Sequence, residues 1–338
     1  MGHEIDLNKY NIRTDLVLDS IIGNENNIYH KVDNYGDISV NTVYIDDNNG
    51  KLINKKKGKY VTILFDDVTD SENRNNVEIV FKNELSKFID KIDKDIRSIL
   101  IIGLGNNDST PDSLGPKVVS KVMVTRHLFV LGEDVDNGIK EVSAFSPGVM
   151  ASTGIETSDF ISSLVKEVKP SLVLVVYALA AVSMERINKS IQITDTGIHP
   201  GSGVHNMRKE ISVDTIGVPV IGIGVPTVVE SSVIVYDTIN YLFKHISYIK
   251  DNQGKNKLVF SRKNYLNKIK DRDLTYEEKK DILGLIGELS DDEKMNLINE
   301  VLTSVNYNFI VTPKEIDFVV DKLALLIANG INKSLHNI

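Results

Sequence analysis

Apolar and polar positions along this chain follow three rhythms. Residues 38 to 45 and 60 to 65 alternate apolar with polar, the two-residue period of strands that bury one face. The stretches "DDNNGK" and "KKKGK" between them read as turns. From residue 75 to 92 the apolar side chains Val77, Val80, Phe81, Leu85, Phe88, Ile89 and Ile92 fall at helical spacing. Three further segments are apolar almost without interruption: "SILIIGLGN" at 98 to 106, "SLVLVVYALA" from Ser171 and "VPVIGIGVPTVV" from Val218. Such runs belong to strands buried on both faces of a parallel sheet. Helical patterns at 114 to 128, 159 to 168 and 228 to 245 alternate with them, which predicts an α/β fold. Its expected form is a mostly parallel sheet flanked by helices, with a small N-terminal strand pair and C-terminal helices.

The ends of the chain read differently. Residues 1 to 15 are polar with isolated apolar positions, either a removable leader or a frayed terminus, and 21 to 49 are rich in Asn and Asp. Residues 251 to 273, rich in Asn and Lys, read as a flexible loop and a site for proteolytic nicking. Beyond it the pattern is helical, and Thr275 with Glu278 and Thr312 with Glu315 match the capping box that opens helices. These helices pad a core or an interface; residues 16 to 338 read as a single domain.

Composition narrows the function classes. Of 338 residues 41% are hydrophobic and 25% charged, ordinary for a globular chain, and the net charge of −8 disfavours non-specific nucleic-acid binding. With no cysteine, disulfides, a thiolate nucleophile and a cysteine zinc site are excluded. Neither a signal peptide nor a run of about 20 apolar residues is present, so a cytoplasmic protein that does not enter membranes is expected.

Candidate chemistry lies in three loops that follow apolar runs, where α/β proteins place their sites. In "GLGNNDSTPDSLGP" (103 to 116) the glycines resemble the start of a dinucleotide fingerprint, but the third glycine is missing and Pro111-Asp112 interrupts the turn. No cofactor is expected. Asp112 reads either as a helix N-cap or as a carboxylate delivered to the carboxyl end of the sheet. The loop at 144 to 159 carries Glu156 and Asp159, with Thr157 or Ser158 as a possible helix cap. The third, 193 to 210, carries Asp195, His199 and Gly201-Ser202-Gly203. Glu156, His199 and Ser202 are substrate-binding candidates, since glycine-rich loops let a ligand approach the backbone closely. Asp112, Asp195, His199 and His205 form the one set able to hold a metal, yet none has a diagnostic ligand spacing, and no metal is assigned. Ser202 lacks the Gly-x-Ser-x-Gly elbow of serine hydrolases.

Taken together, "YNIRTDL", "GLGN…TPDSLGP", "VTRHLF", "PGVMASTGIETSD", "IQITDTGIHPGSG", "GVPVIGIGVPTVV" and "VTPKEID" resemble the germination proteases of spore-forming bacteria. The likeness runs in order from about residue 5 to 335, and more distantly the strand–glycine loop resembles hydrogenase-maturation endopeptidases. The resemblance implies an endopeptidase that initiates degradation of small acid-soluble spore proteins, made as a zymogen in the cytoplasm of the forespore and active as a homotetramer. It implies a propeptide of residues 1 to 15, cut between Asp15 and Leu16. It also implies two catalytic aspartates, of which the first falls on Asp112 and the second on Tyr177, while an expected arginine is Val182.

This departure bears on mechanism. Two carboxyls held close cannot both ionise, so one stays an acid while the other activates water. Tyrosine, with a reference pKa of roughly 10, can donate a hydrogen bond but is a poor base near neutrality. Three outcomes follow: a silenced homologue that binds substrate without cleaving it, a second carboxylate supplied by Asp195 or Glu156, or a mechanism that does not need the strand-end carboxylate. A metal-assisted peptidase using Asp112, Asp195 and His199 is a further alternative.

Overall fold

The computed structural model describes residues 16–21, 28–94, 96–200, 209–251, 269 and 272–337. The chain divides into two compact units, one of Arg13–Val228 with Thr312–Ile338 and one containing Val229–Val311. Its strands are β1 (Tyr29–Tyr35), β2 (Ile38–Ile45), β3 (Gly58–Leu64), β4 (Ser98–Gly103), β5 (Glu141–Phe145), β6 (Leu172–Ala181), β7 (Ser190–Thr194), β8 (Val220–Glu230) and β9 (Ile310–Val311). The helices are α1 (Val17–Ser20), α2 (Asp47–Ile53), α3 (Ser71–Ile92), α4 (Leu114–Val119), α5 (Arg126–Leu131), α6 (Met150–Thr153), α7 (Thr157–Val168), α8 (Val213–Ile216), α9 (Ser231–Asp251), α10 (Tyr276–Leu283), α11 (Leu285–Glu288), α12 (Asp291–Ser304) and α13 (Ile316–Leu335).

In the larger unit the sheet order is β1-β2-β3-β7-β8-β6-β4-β5. Strand β4 lies parallel to both β5 and β6, with Ile102 opposite Phe145 and Gly103 opposite Val176. The other wing, β1-β2-β3-β7-β8, is antiparallel. The α/β class therefore holds, with the parallel strands at the two central apolar runs. Because successive side chains of a strand point to opposite faces, β4 and β6 feed two cores. Ile99, Ile101, Leu174 and Val176 pack with Phe81 and Leu85 of α3, Leu114 of α4 and Leu323 and Ile327 of α13. Leu100, Ile102, Val173 and Val175 pack with Ile161 and Val165 of α7 and with Ile198 and Ile211.

Several elements depart from the sequence expectation, each for a visible reason. The N-terminal strand pair is a three-strand meander, because exposed β1 pairs along its whole length with β2. "DDNNGK" is helix α2, capped by Asp46, whose carboxylate accepts from the Asn48 and Asn49 amides. Residues 193 and 194, read as the start of a loop, instead end strand β7, which is inserted between β3 and β8. The helical pattern at 114 to 128 breaks into α4 and α5, since Thr125 donates from its amide to Val142 and from its hydroxyl to Lys140. Val228, Val229 and Glu230 finish β8 before α9 begins at Ser231.

The capping box of Thr275 and Glu278 forms at α10, and a matching one of Ser290 and Glu293 opens α12. That of Thr312 and Glu315 does not form: the Thr312 hydroxyl donates to the Thr227 carbonyl, and α13 starts only at Ile316. In the smaller unit, β9 pairs antiparallel with the last residues of β8, Val229 opposite Val311. Among the described residues no helix is long and apolar enough to cross a membrane.

Candidate active site

The site begins where β4 ends. The Leu104 amide still donates to the Val176 carbonyl of β6 at 2.8 Å, so the chain leaves β4 held against its neighbour. Gly105 then takes φ +127°, and a Cβ there would lie 1.9 Å from the Asp112 carbonyl oxygen. A Cβ on Gly115 would sit 2.3 Å from the Leu104 carbonyl and 2.6 Å from that of Val176. Glycines at these two positions thus let residues 110 to 115 lie directly on the end of β4 and against the middle of β6 at Val176. Pro111 opens the short 3-10 turn Thr110–Asp112, which is closed by the Asp112 amide donating to Ser109.

Asp112 is not the cap of α4, since Ser113 occupies that position. Its Oδ2 instead accepts from the Asn106 amide at 2.8 Å, tying the loop to itself. Burial pushes the Asp112 carboxyl above its ordinary range, and the single amide donor pulls the other way without cancelling the effect. The arrangement favours a carboxyl that holds its proton more readily than a solvated aspartate.

Tyr177 follows Val176 on β6, so adjacent strands deliver it and Asp112 at the carboxyl end of β4. Its half-buried ring packs into the core on the α7 side. Across from it β8 carries Gly222, where a Cβ would fall 3.6 Å from Tyr177 Cε1 and 2.6 Å from Ile198 Cγ2. The third loop end comes from β5: the Ser146 hydroxyl donates to the Gly103 carbonyl at 3.0 Å. Glu156 stands at the N-cap of α7 but makes no capping bond, and its buried Oε1 has no hydrogen-bond partner among the described residues. Thr157 and Ser158 are therefore the first helical residues, not caps.

Asp195 is not brought to Asp112. It follows β7, three strands from β4, roughly 14 Å at the usual strand spacing. Its Oδ1 accepts from the Lys59 amide at 2.8 Å and its Oδ2 from Lys91 Nζ at 2.9 Å. His199 is exposed, with Nε2 3.7 Å from Glu210, which also pairs with Lys56. Among the described residues no three potential ligands cluster to hold a metal. Asp15, Ser202 and His205 lie outside the described residues, whereas Leu16 is wholly buried.

Two residues that sequence reasoning did not single out anchor the far end of β6. Asp19 forms an ion pair with Arg186 and accepts from the Val182 amide at 3.2 Å, with its side chain inaccessible to solvent. A lone acid in "LVLDS" carries no signal for this, because its partner lies more than 160 positions away.

Comparison with known proteins shows the family of the chain. The family model described as germination protease matches residues 17–338. The chain belongs to the germination protease family. The germination protease of Bacillus subtilis strain 168 is 44% identical over 98% of this chain and 95% of its own. Those of Bacillus velezensis and Priestia megaterium are 46% and 43% identical, over 99% and 100% of this chain and 96% and 97% of theirs. Among solved structures, a NiFe hydrogenase maturation protease from Thermococcus kodakarensis KOD1 matches 41% of this chain and 80% of its own at 17% identity, with a TM-score of 0.27. Membership makes this a chain of a peptidase family.

Proposed function

We propose that the chain is an endopeptidase of the germination protease family whose catalytic pair is incomplete, so that it binds small acid-soluble spore proteins and cleaves them poorly. The observation that carries this reading is the junction of β4 and β6, where one desolvated carboxyl, Asp112, stands in the loop after β4 and the neighbouring strand β6 carries Tyr177 where the family resemblance calls for a second aspartate. A protonated Asp112 can give its proton to a leaving amine or a carbonyl oxygen. A tyrosine hydroxyl in that position can donate a hydrogen bond but is a poor base for water. Asp195 cannot supply the missing base while its two carboxylate oxygens are held by Lys59 and Lys91. The zymogen character, processing between Asp15 and Leu16, homotetramer and forespore cytoplasm rest on the family resemblance alone.

A second reading has its own support: Glu156 has a buried carboxylate oxygen without a hydrogen-bond partner among the described residues, and it would supply the second carboxylate. Digestion of a small acid-soluble spore protein tests both. Chains carrying Tyr177 and Tyr177→Asp are compared, each with and without Glu156→Gln. Cleavage by the Tyr177→Asp chain at least about 100-fold faster supports the incomplete pair. Comparable cleavage by the Tyr177 chain that is lost with Glu156→Gln overturns it in favour of Glu156.

A further inference from the structure

We infer that the outer edge of β5, at Ala144, takes an extended stretch of the protein substrate as an added strand, with the stacked rings of Phe145 and Phe160 receiving one of its apolar side chains. The inference rests on the proposed function for its ligand and names where that ligand docks. Strand β5 ends the sheet and pairs on one side only, with β4. The Glu141 amide donates to the Arg97 carbonyl, so Glu141 and every second residue after it turn their backbone groups to β4. Val142 and Ala144 therefore face outward. At Val142 the edge is already covered, since its amide donates to the Thr125 hydroxyl oxygen and its carbonyl accepts from the Thr125 amide. The amide and carbonyl of Ala144 have no hydrogen-bond partner among the described residues, and neither do those of Ser146.

An open edge invites another strand, and proteins guard such edges with charge or cover. Here the cover stops at Val142, and the next side chains are those of Ala144 and Phe145. Phe145 lies opposite Ile102 of β4, which sets it on the α7 face, and its ring stacks on Phe160 of α7 with centroids 5.2 Å apart. The two rings nevertheless keep 37% and 36% of their surface exposed, so the pair is still open to a third apolar group. The ring of Tyr177 packs on the same face. A strand added beside β5 sends alternate side chains to this face, where one of them meets the aromatic pair. The edge also leads toward Asp112. The Ser146 hydroxyl ties the chain after β5 to the Gly103 carbonyl at the end of β4, where the loop of Asp112 begins. An added strand runs about 10 Å from β4 at the usual spacing, a gap that roughly three extended residues span. A peptidase must hold its substrate extended beside the bond it cuts, and this edge offers a donor, an acceptor and an apolar platform for that.

The test uses the full chain and a purified small acid-soluble spore protein as the probe. Ala144→Pro removes the outward donor, a change an edge strand tolerates because that N–H bonds to nothing in β4. Phe145→Ala together with Phe160→Ala removes the aromatic pair. Each should raise the Kd for the spore protein about 10-fold or more. In a Tyr177→Asp background each should raise KM by a similar factor while kcat stays within about threefold. Hydrogen exchange of the Ala144 and Ser146 amides in the parent should slow at saturating spore protein, a readout that needs no variant. Unchanged exchange at saturation overturns the inference, and so does an unchanged Kd in variants that keep the parent's thermal unfolding. Exchange that slows with the chain's own concentration, in the absence of spore protein, overturns it in favour of a second copy as the occupant. If the Tyr177→Asp chain cleaves no faster than the parent while the edge variants still weaken binding, the incomplete pair fails and the docking edge stands. A parent that does not bind the spore protein overturns both.

Discussion

Two aspartates, each following a strand of the same sheet, have opposite surroundings. Asp112 sits in a loop pressed onto β4 and β6, with a single amide donor and a carboxyl raised by burial. Asp195 follows β7 with an amide on one oxygen and an ammonium on the other. A carboxylate whose oxygens are both occupied by donors is finished as a structural pin. One that is desolvated and underprovided with donors is costly to keep and is where chemistry is to be sought. Sequence type alone does not separate them; their partners do.

The contrast is sharpest if activity and stability respond in opposite order. In a Tyr177→Asp background, Asp112→Asn should lower cleavage of a small acid-soluble spore protein by about 10²- to 10⁴-fold. Asp195→Ala should leave cleavage within about threefold while lowering stability by about 1–2 kcal/mol in denaturant unfolding, through loss of the Lys59 amide's acceptor. Equal losses of activity in the two variants would abolish the distinction.

Next in size is the support under Asp112. With Gly105 at φ +127° and no room for a Cβ beside the Asp112 carbonyl, Gly105→Ala should cost roughly 3 kcal/mol or more. Thermal unfolding reads this directly, and an unshifted midpoint would mean the turn can be rebuilt. The position shows why part of the site is legible in sequence. Glycines and Pro111 around Asp112 announce a tight turn, and the runs of β4 and β6 announce burial on both faces. By contrast β1 is exposed almost throughout and carries no face pattern, and β7 hides polar Ser190, Gln192 and Thr194 in the interior. Gln192 is satisfied by an amide 175 positions away, and Asp195 by groups 104 and 136 positions away. Such partners are set by the fold, so no local pattern reveals them.

A smaller effect follows from the titration of Asp112. Its folded pKa is raised, so the native state binds its proton more tightly than the unfolded chain does. The stability it contributes is then fully present below the unfolded value near 4 and is lost as pH rises through the folded value. Asp112→Asn removes this dependence. Unfolding measured from pH 3 to 7 should therefore show the variant gaining on the parent as pH rises, with the gap constant once Asp112 is ionised in both states. A gap that widens toward low pH instead would mean that Asp112 is stabilised as a carboxylate.

The smallest expected change tests the pin around Asp195 piece by piece. Lys91 is largely exposed while its partner carboxylate is only one-fifth accessible, so the pair spans the boundary between solvent and interior. An ammonium that stays hydrated gains little from such a pair, and salt screens what it gains. Lys91→Met should thus lower stability by no more than about 0.5 kcal/mol, and less at 1 M salt. The Lys59 amide is different, because it is fixed in β3 next to Gly58, where a Cβ would crowd Asp195 Oδ1 at 2.7 Å. If Lys91→Met proved as damaging as Asp195→Ala, the pin would be ionic, and its resemblance to a functional carboxylate would have to be reconsidered. If it is nearly silent, Asp195 is held by backbone geometry, which is what keeps it out of the chemistry at Asp112.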